Sequence, residues 1–309
     1  MRDEGMSGSP VDGQRPALVR VAIPHFYRPD ENDQSGYGSS RPDAAIFRAV
    51  ALARCLGSVL SLARQQKEQM LVIEDASIAH TSQSQYLARQ LPGVVIDCHV
   101  FVTSTNYLQQ ELKVFENQIT VHQLQLDNPR RLPHAARDFL LKDNAVGSAD
   151  LSLYLEDDLV IQDRFYIDKL LWFCERTNHQ IVLMPHRYEL SADPVMPRFF
   201  VDGPMDPSPF PNHHQPETAA AKGRFWDGQE IIFDIASNPH SGSFALSKEQ
   251  RQRVIHGGVI DQGFVGDLET VATFTALQHY PVMKPGWQHR DFLSIEHAHP
   301  SYLWIRNGS

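Results

Sequence analysis

The run Ala149–Ile161, ADLSLYLEDDLVI, sets three consecutive carboxylates, Glu156, Asp157 and Asp158, between two apolar stretches. Adjacent acids repel one another, and in a mostly buried setting a cation or a set of hydrogen-bond donors has to share their charge. Oxygen-only ligands suit Mg2+ or Mn2+, and Mg2+ takes few protein carboxylates, leaving water and substrate phosphate for its other positions. The triplet therefore points to chemistry on a phosphate-bearing substrate, with a solvated acidic turn as the plain alternative. Near the end of the chain, HRDFLSIEHAHPSYL carries His289, Glu296, His297 and His299. Two histidines spaced by one residue beside a carboxylate are candidates for metal ligands that fold back over a sheet. Asp267 and Glu269, in FVGDLETVATFTAL, open a helix, where the macrodipole favours acids without any catalysis. Arg137 and Lys142 are surface charges unless a nucleotide binds near the acids, in which case one of them reaches a phosphate or a base. His213 and His214 are adjacent on a loop, and neighbouring side chains rarely converge on one metal.

These residues need a frame. Leu151, Leu153 and Leu155 alternate with Ser152 and Tyr154, the period of a strand, so the acids stand at a strand's C-terminal end, where open α/β sheets place ligands. Residues 17–23 read as a first buried strand ended by Pro24, followed by a long Gly/Pro/Ser/Asp-rich loop of the kind that binds something. A helix is predicted over 44–65, with Ile46, Val50, Leu52, Ala53, Leu56, Val59, Leu60 and Leu62 at helical spacing. Strands follow at 94–103 and 121–126, with a helix at 106–117 between them and a short additional strand at 71–73. A helix over 133–146 leads to the carboxylate strand; a helix at 164–176 and a strand at 180–184 come after it. This alternation describes a predominantly parallel sheet covered on both faces. Residues 185–228 are proline-rich and without sustained periodicity, an insertion, lid or substrate-binding arm. Its Phe225 and Trp226 either plug the core or offer aromatic faces to a bound ligand. Regular structure returns with a strand at 230–235, a helix at 247–255 capped by Ser247, and the helix opened by Asp267.

Composition narrows the class. The chain has 309 residues, 42% hydrophobic and 21% charged, and a net charge of −9. That is a globular chain with no clustered Lys and Arg for nucleic acid. Cys55, Cys98 and Cys174 are scattered, odd in number and without a CxxC pattern, which indicates neither a disulfide framework nor a cysteine zinc site and fits a reducing, cytoplasmic setting. Residues 1–16 read as a polar flexible tail, and 17–309 as a single catalytic domain. The halves on either side of the proline-rich segment are 17–184 and 229–309. No apolar run of about 18 residues is present, so any membrane association is expected to be peripheral.

In the order of its parts the sequence resembles glycosyltransferases of the GT-A fold. The matches are Glu156-Asp157-Asp158 in YLEDDLV for the DxD-type motif, SGSFALSKEQ for the acceptor-side segment, GDLETV for the acidic helix start and His297 or His299 for the closing ligand. The resemblance spans residues 17–300 and implies a three-layer α/β/α sandwich around a mixed, mostly parallel sheet. It implies Mn2+ or Mg2+ held by Asp158 and Glu156 with His297 or His299, and a nucleotide held by Pro24, His25, Tyr27, Arg137 and Asp157. Ser241, Gly242 and Trp226 fall on the acceptor side, and Asp267, then Glu269, is the base if the reaction inverts. The partners implied are a nucleotide-sugar donor and a glycan or lipid-linked acceptor. Glu156 stands where such enzymes usually have Asp, and Gly266 where an acidic pair is often Glu-Asp. A nucleotidyltransferase of similar fold, or a non-catalytic carbohydrate-binding or scaffold protein, is the alternative.

Overall fold

The computed structural model describes residues 15–28, 44–65, 67–82, 92–142, 149–210, 215–299 and 301–303. Residues 1–14, most of the expected tail, and His213 and His214 lie outside them, while Arg15 is tied to Asp150 at 2.6 Å. The first half runs β1 (Ala17–Pro24), α1 (Ala45–Leu60), β2 (Lys67–Val72), β3 (Ser77–Ser82), β4 (Val94–Thr103), α2 (Gln109–Val114), β5 (Ile119–Leu124), α3 (Leu132–Leu141), β6 (Leu151–Leu155), β7 (Leu159–Val160) and α4 (Tyr166–Arg176). The second half runs β8 (Val182–Leu183), β9 (His186–Leu190), β10 (Arg198–Phe200), β11 (Glu217–Arg224), β12 (Glu230–Ile235), β13 (Ser243–Ser247), α5 (Lys248–Gly257), α6 (Asp267–Leu277), β14 (Val282–Pro285) and β15 (Ser294–His297).

The central sheet has the order β13-β6-β1-β4-β5, parallel throughout except for β13 at its edge. Every residue of β6 is buried, as a strand covered on both faces requires. Leu151, Leu153 and Leu155 pack into one apolar cluster with α1 and α4, while Tyr154 packs into a second with α3, α5 and α6. The mixed, mostly parallel sheet between two helical layers is the α/β architecture expected from the sequence. Two further four-stranded sheets have the orders β10-β9-β15-β7 and β11-β12-β14-β8, the first of them including β7, which follows the carboxylates. No helix among the described residues is long and apolar enough to cross a membrane.

Three expectations need correction. The segment 185–228 is not structureless: it contains β9, β10 and β11. These strands are short and separated by prolines, and β11 (ETAAAKGR) has no strand-like alternation; pairing with β12 across a bulge holds it in the sheet. The strand at 71–73 is part of the β2–β3 hairpin. On α1 the buried stripe is Arg48, Ala51, Leu52, Cys55, Leu56 and Val59, while Ile46 and Val50 are exposed. The apolar positions taken from spacing alone mixed two faces of the helix, and the true inner face includes an arginine.

Candidate functional site

Parallel pairing of β6 with β1, from Val19↔Leu151 to Ala22↔Tyr154, brings the end of β6 beside the end of β1. The chain turns there: the Glu156 N–H donates to the Gly242 carbonyl at 3.1 Å and the Leu159 N–H to the Glu156 carbonyl at 3.2 Å, starting β7. β15 then pairs antiparallel with β7, placing His297 opposite Leu159, and the Ala298 N–H donates to the Asp158 carbonyl at 2.7 Å. Sheet register, not proximity in sequence, sets His297 against Asp158. Its Nε2 lies 3.5 Å from Asp158 Oδ2, and its Nδ1 lies 2.8 Å from Glu189 Oε1 on the neighbouring β9.

Glu189 also accepts the backbone N–H groups of Ser301, Tyr302 and Leu303, at 2.8, 3.0 and 2.7 Å. Burial pushes its carboxyl up, but these bonds and that from His297 hold it below the usual range. Burial also opposes charge on His297, yet the Asp158 charge and the bonds to Asp158 and Glu189 push its imidazole up to about 9. A carboxylate fixing one imidazole nitrogen while the other faces a second carboxylate is the arrangement by which proteins orient metal-binding histidines.

The two aspartates are neutralised from α1 and from the first residue after β1. Arg48 Nη2 donates to both Asp157 oxygens at 2.7 and 2.8 Å, and its Nη1 to Asp158 Oδ2 at 3.0 Å. His25 Nδ1 lies 2.5 Å from Asp157 Oδ2, while its Nε2 accepts the Leu108 N–H at 3.1 Å. Despite burial, the Arg48 charge and the His25 bond hold Asp157 below the usual carboxylate range. Burial is likewise outweighed at Asp158, which the His297 and Arg48 charges hold well below that range. Asp158 Oδ1 is nevertheless buried without a hydrogen-bond partner.

Glu156 behaves differently. Burial pushes its carboxyl up to about 8; the Arg187 charge opposes this, and the charges of Asp158 and Glu269 add to it. Gly242, at φ +63°, lies against it: a Cβ there would come within 2.8 Å of Glu156 Oε2. Arg187 itself pairs with Asp202 at 2.9 Å, and Asp202 with Lys284 at 3.0 Å, with all three side chains buried.

The remaining predicted residues divide. His299 is half-buried; burial, then the Arg48 charge, lowers its imidazole against the pull of Asp158. Both His25 nitrogens are engaged, and Tyr27 belongs to the apolar core, so within the first loop these two brace the site and Pro24 ends the strand. Arg137 is not a surface charge: it is buried, pairs with Asp138 and Asp261 at 2.7 and 2.8 Å, and leaves Nη1 without a partner. Asp267 lies 2.7 Å from His134 Nε2, outside the Asp157–Asp158 network. Glu269, two residues further along the same first turn, has Oε2 unpartnered, and its charge reaches Glu156 and Tyr154. Ser241 is buried and donates to the Ser243 carbonyl at 2.9 Å. Trp226 stacks on Phe225 at 4.9 Å, and Phe225 packs edge-on to Trp172, so Phe225 fills the core while Trp226 is half-exposed above it.

Arg48, Glu189 and Arg187 were not singled out from the sequence. Only Arg48 left a signal there, as a charge four residues before Leu52 on the inward stripe of an apolar helix.

Among the described residues no group of three or more His, Cys, Asp or Glu side chains gathers closely enough to hold a metal. Asp158, with Oδ1 unpartnered and Oδ2 facing the oriented His297 Nε2, and His297 itself are the side chains here that could help hold a divalent ion.

No protein-family model matches the sequence, and no curated protein matches it. Among solved structures the chain is similar to GalNAc-T7 with UDP, GalNAc and Mn2+, at 11% identity and a TM-score of 0.45, over 93% of this chain and 44% of that one. It is similar to TarS of S. aureus at 11% identity and a TM-score of 0.40, over 89% of this chain and 38% of the other. A structure of TarS 1-349 aligns at 10% identity and a TM-score of 0.40, over 87% and 57%. The chain spans less than two thirds of each of these structures.

Proposed function

We propose that the chain is a metal-dependent glycosyltransferase that moves a sugar from a nucleotide-sugar donor to a hydroxyl of a glycan or lipid-linked acceptor. The observation that carries this reading is the Glu189–His297–Asp158 array at the end of the central strand. Bound there, Mn2+ or Mg2+ supplies Lewis-acid stabilisation of the charge that builds on the leaving diphosphate. Asp158 and His297 hold the ion, with His297 preferred over His299 because Glu189 fixes its ring. Glu156, whose carboxyl is raised to about 8 in the metal-free protein, contributes to the shell directly or through water. Asp157, held by His25 and Arg48, lines the nucleotide side with Pro24, and Arg137 backs that side with its unpartnered Nη1.

If the sugar is inverted, Glu269 is favoured over Asp267 as base, because its Oε2 is unpartnered whereas Asp267 shares an oxygen with His134. The acceptor oxygen then bonds to the anomeric carbon, the bond to the diphosphate oxygen breaks with its electron pair, and the acceptor proton goes to Glu269 Oε2. Gly242 and Trp226 border the acceptor side; Ser241 supports that wall from behind. The test is metal-dependent hydrolysis or transfer across a panel of sugar nucleotides, for the wild type and Asp158→Asn. Turnover that needs Mn2+ or Mg2+ and is lost in the variant without a matching loss of melting temperature supports the reading. Turnover of nucleoside triphosphates instead points to a nucleotidyltransferase, and failure to bind any nucleotide with Mn2+ points to a scaffold.

A further inference from the structure

Resting on the metal reading above, we infer that Arg48 is a built-in competitor for the divalent cation, occupying the Asp157–Asp158 pair in the empty protein and keeping its metal affinity low until the guanidinium is drawn away. Among the described residues every hydrogen bond of the guanidinium goes to these two carboxylates, at 2.7, 2.8 and 3.0 Å. The oxygen that Nη1 engages, Asp158 Oδ2, is the one that faces His297 Nε2. Arg48 is buried and its Nε has no hydrogen-bond partner, so the two aspartates are its main anchor. A divalent ion on Asp158 would stand next to a fixed positive charge in a poorly screened setting, where the repulsion is large.

α1 does not depend on Arg48 to stay in place. Arg54 pairs bidentately with Glu296 at 2.7 and 2.8 Å, which ties the helix to β15, and just beyond its end Arg64 pairs with Asp168 of α4 at 2.7 and 3.1 Å. The guanidinium can therefore swing on its own side chain without moving the helix. A nucleoside diphosphate offers it planar, bidentate phosphate partners in exchange for the carboxylates. Metal and nucleotide are then positively coupled: each binds more tightly when the other is present, and by the same factor.

The experiment is a Mn2+ titration, read as free Mn2+ by electron paramagnetic resonance, on the wild type, Arg48→Gln, Asp158→Asn and Arg48→Gln/Asp158→Asn, first without nucleotide and then with UDP. Competition predicts that Arg48→Gln binds Mn2+ about tenfold or more tightly than the wild type without nucleotide, the gain vanishing with Asp158→Asn. It also predicts that UDP tightens Mn2+ binding in the wild type far more than in Arg48→Gln. Equal or weaker binding by Arg48→Gln, with Mn2+ still lost on Asp158→Asn, overturns the competition and leaves the metal site standing. Absence of Mn2+ binding from the wild type and Arg48→Gln, with or without UDP, overturns both. Should Arg48→Gln fail to fold, the Arg48 side-chain 15N resonances of the wild type decide. They shift with the Mg2+ binding isotherm if the guanidinium is displaced, and stay fixed if it is not.

Discussion

Two acidic pairs meet arginine and histidine in this molecule, and they do so in different surroundings. Asp157 and Asp158, at the end of the central strand, have side chains only 10% and 12% exposed and share Arg48, His25 and His297. Asp261 and Asp267, before and at the start of α6, have side chains 43% and 29% exposed and share Arg131, His134 and Arg137. Residue types are almost the same in the two sets. At the second set water reaches the acids although His134 and Arg137 are buried; at the first the carboxylates depend on their cations, and one buried oxygen, Asp158 Oδ1, is left over. Burial, not acidity, separates a candidate ion site from an ordinary polar cluster.

Substitutions at the two clusters sharpen that contrast. Asp158→Asn is expected to reduce metal-dependent turnover about a thousandfold, read by donor hydrolysis. Glu269→Gln is expected to lower transfer about a hundredfold with donor affinity kept, and Asp267→Asn to lower it less; the reverse order would return the base to Asp267. Glu189→Gln should weaken Mn2+ binding about 10- to 100-fold by releasing the His297 ring, measured by calorimetry. Asp261→Asn removes a carboxylate from the buried Arg137 and should lower the unfolding free energy by about 1–3 kcal/mol, measured in urea, with metal-dependent turnover kept.

The acids also differ in what pH does to them. In metal-free protein His297 keeps its proton up to about 9, whereas the unfolded chain loses it near 6.5. That stabilisation is complete below pH 6.5 and disappears as pH rises through about 9. Glu156 adds in the same direction: it stays protonated in the folded state to about 8 while the unfolded chain ionises from 4.5. The melting temperature in chelator should therefore fall on the alkaline side, and His297→Gln should flatten most of the fall between pH 6.5 and 9. An equally steep fall in the variant would place the titrating group elsewhere.

What the sequence made legible follows from local physics. The period of β6, the apolar β1 and β4 and the Ser247 cap, closed in the structure by a reciprocal box with Gln250, are written in neighbouring residues. Asp158 and His297 could be named as candidates from residue type, but their meeting depends on the β7–β15 register, which no local pattern encodes. Glu189 was hidden in HRYEL, a short strand inside a proline-rich stretch, and its role comes only from lying beside β15. Arg137 read as solvated because helical charges usually are; here Asp138 and Asp261 let it be buried.

Anomalous scattering from crystals soaked with Mn2+ and a nucleoside diphosphate tests the central claim most directly. The expected result is one manganese peak within coordination distance of Asp158 and His297, bridging to the diphosphate, with the Arg48 guanidinium moved off Asp158. A diphosphate bound without manganese at that place, and Arg48 still on both aspartates, would contradict it.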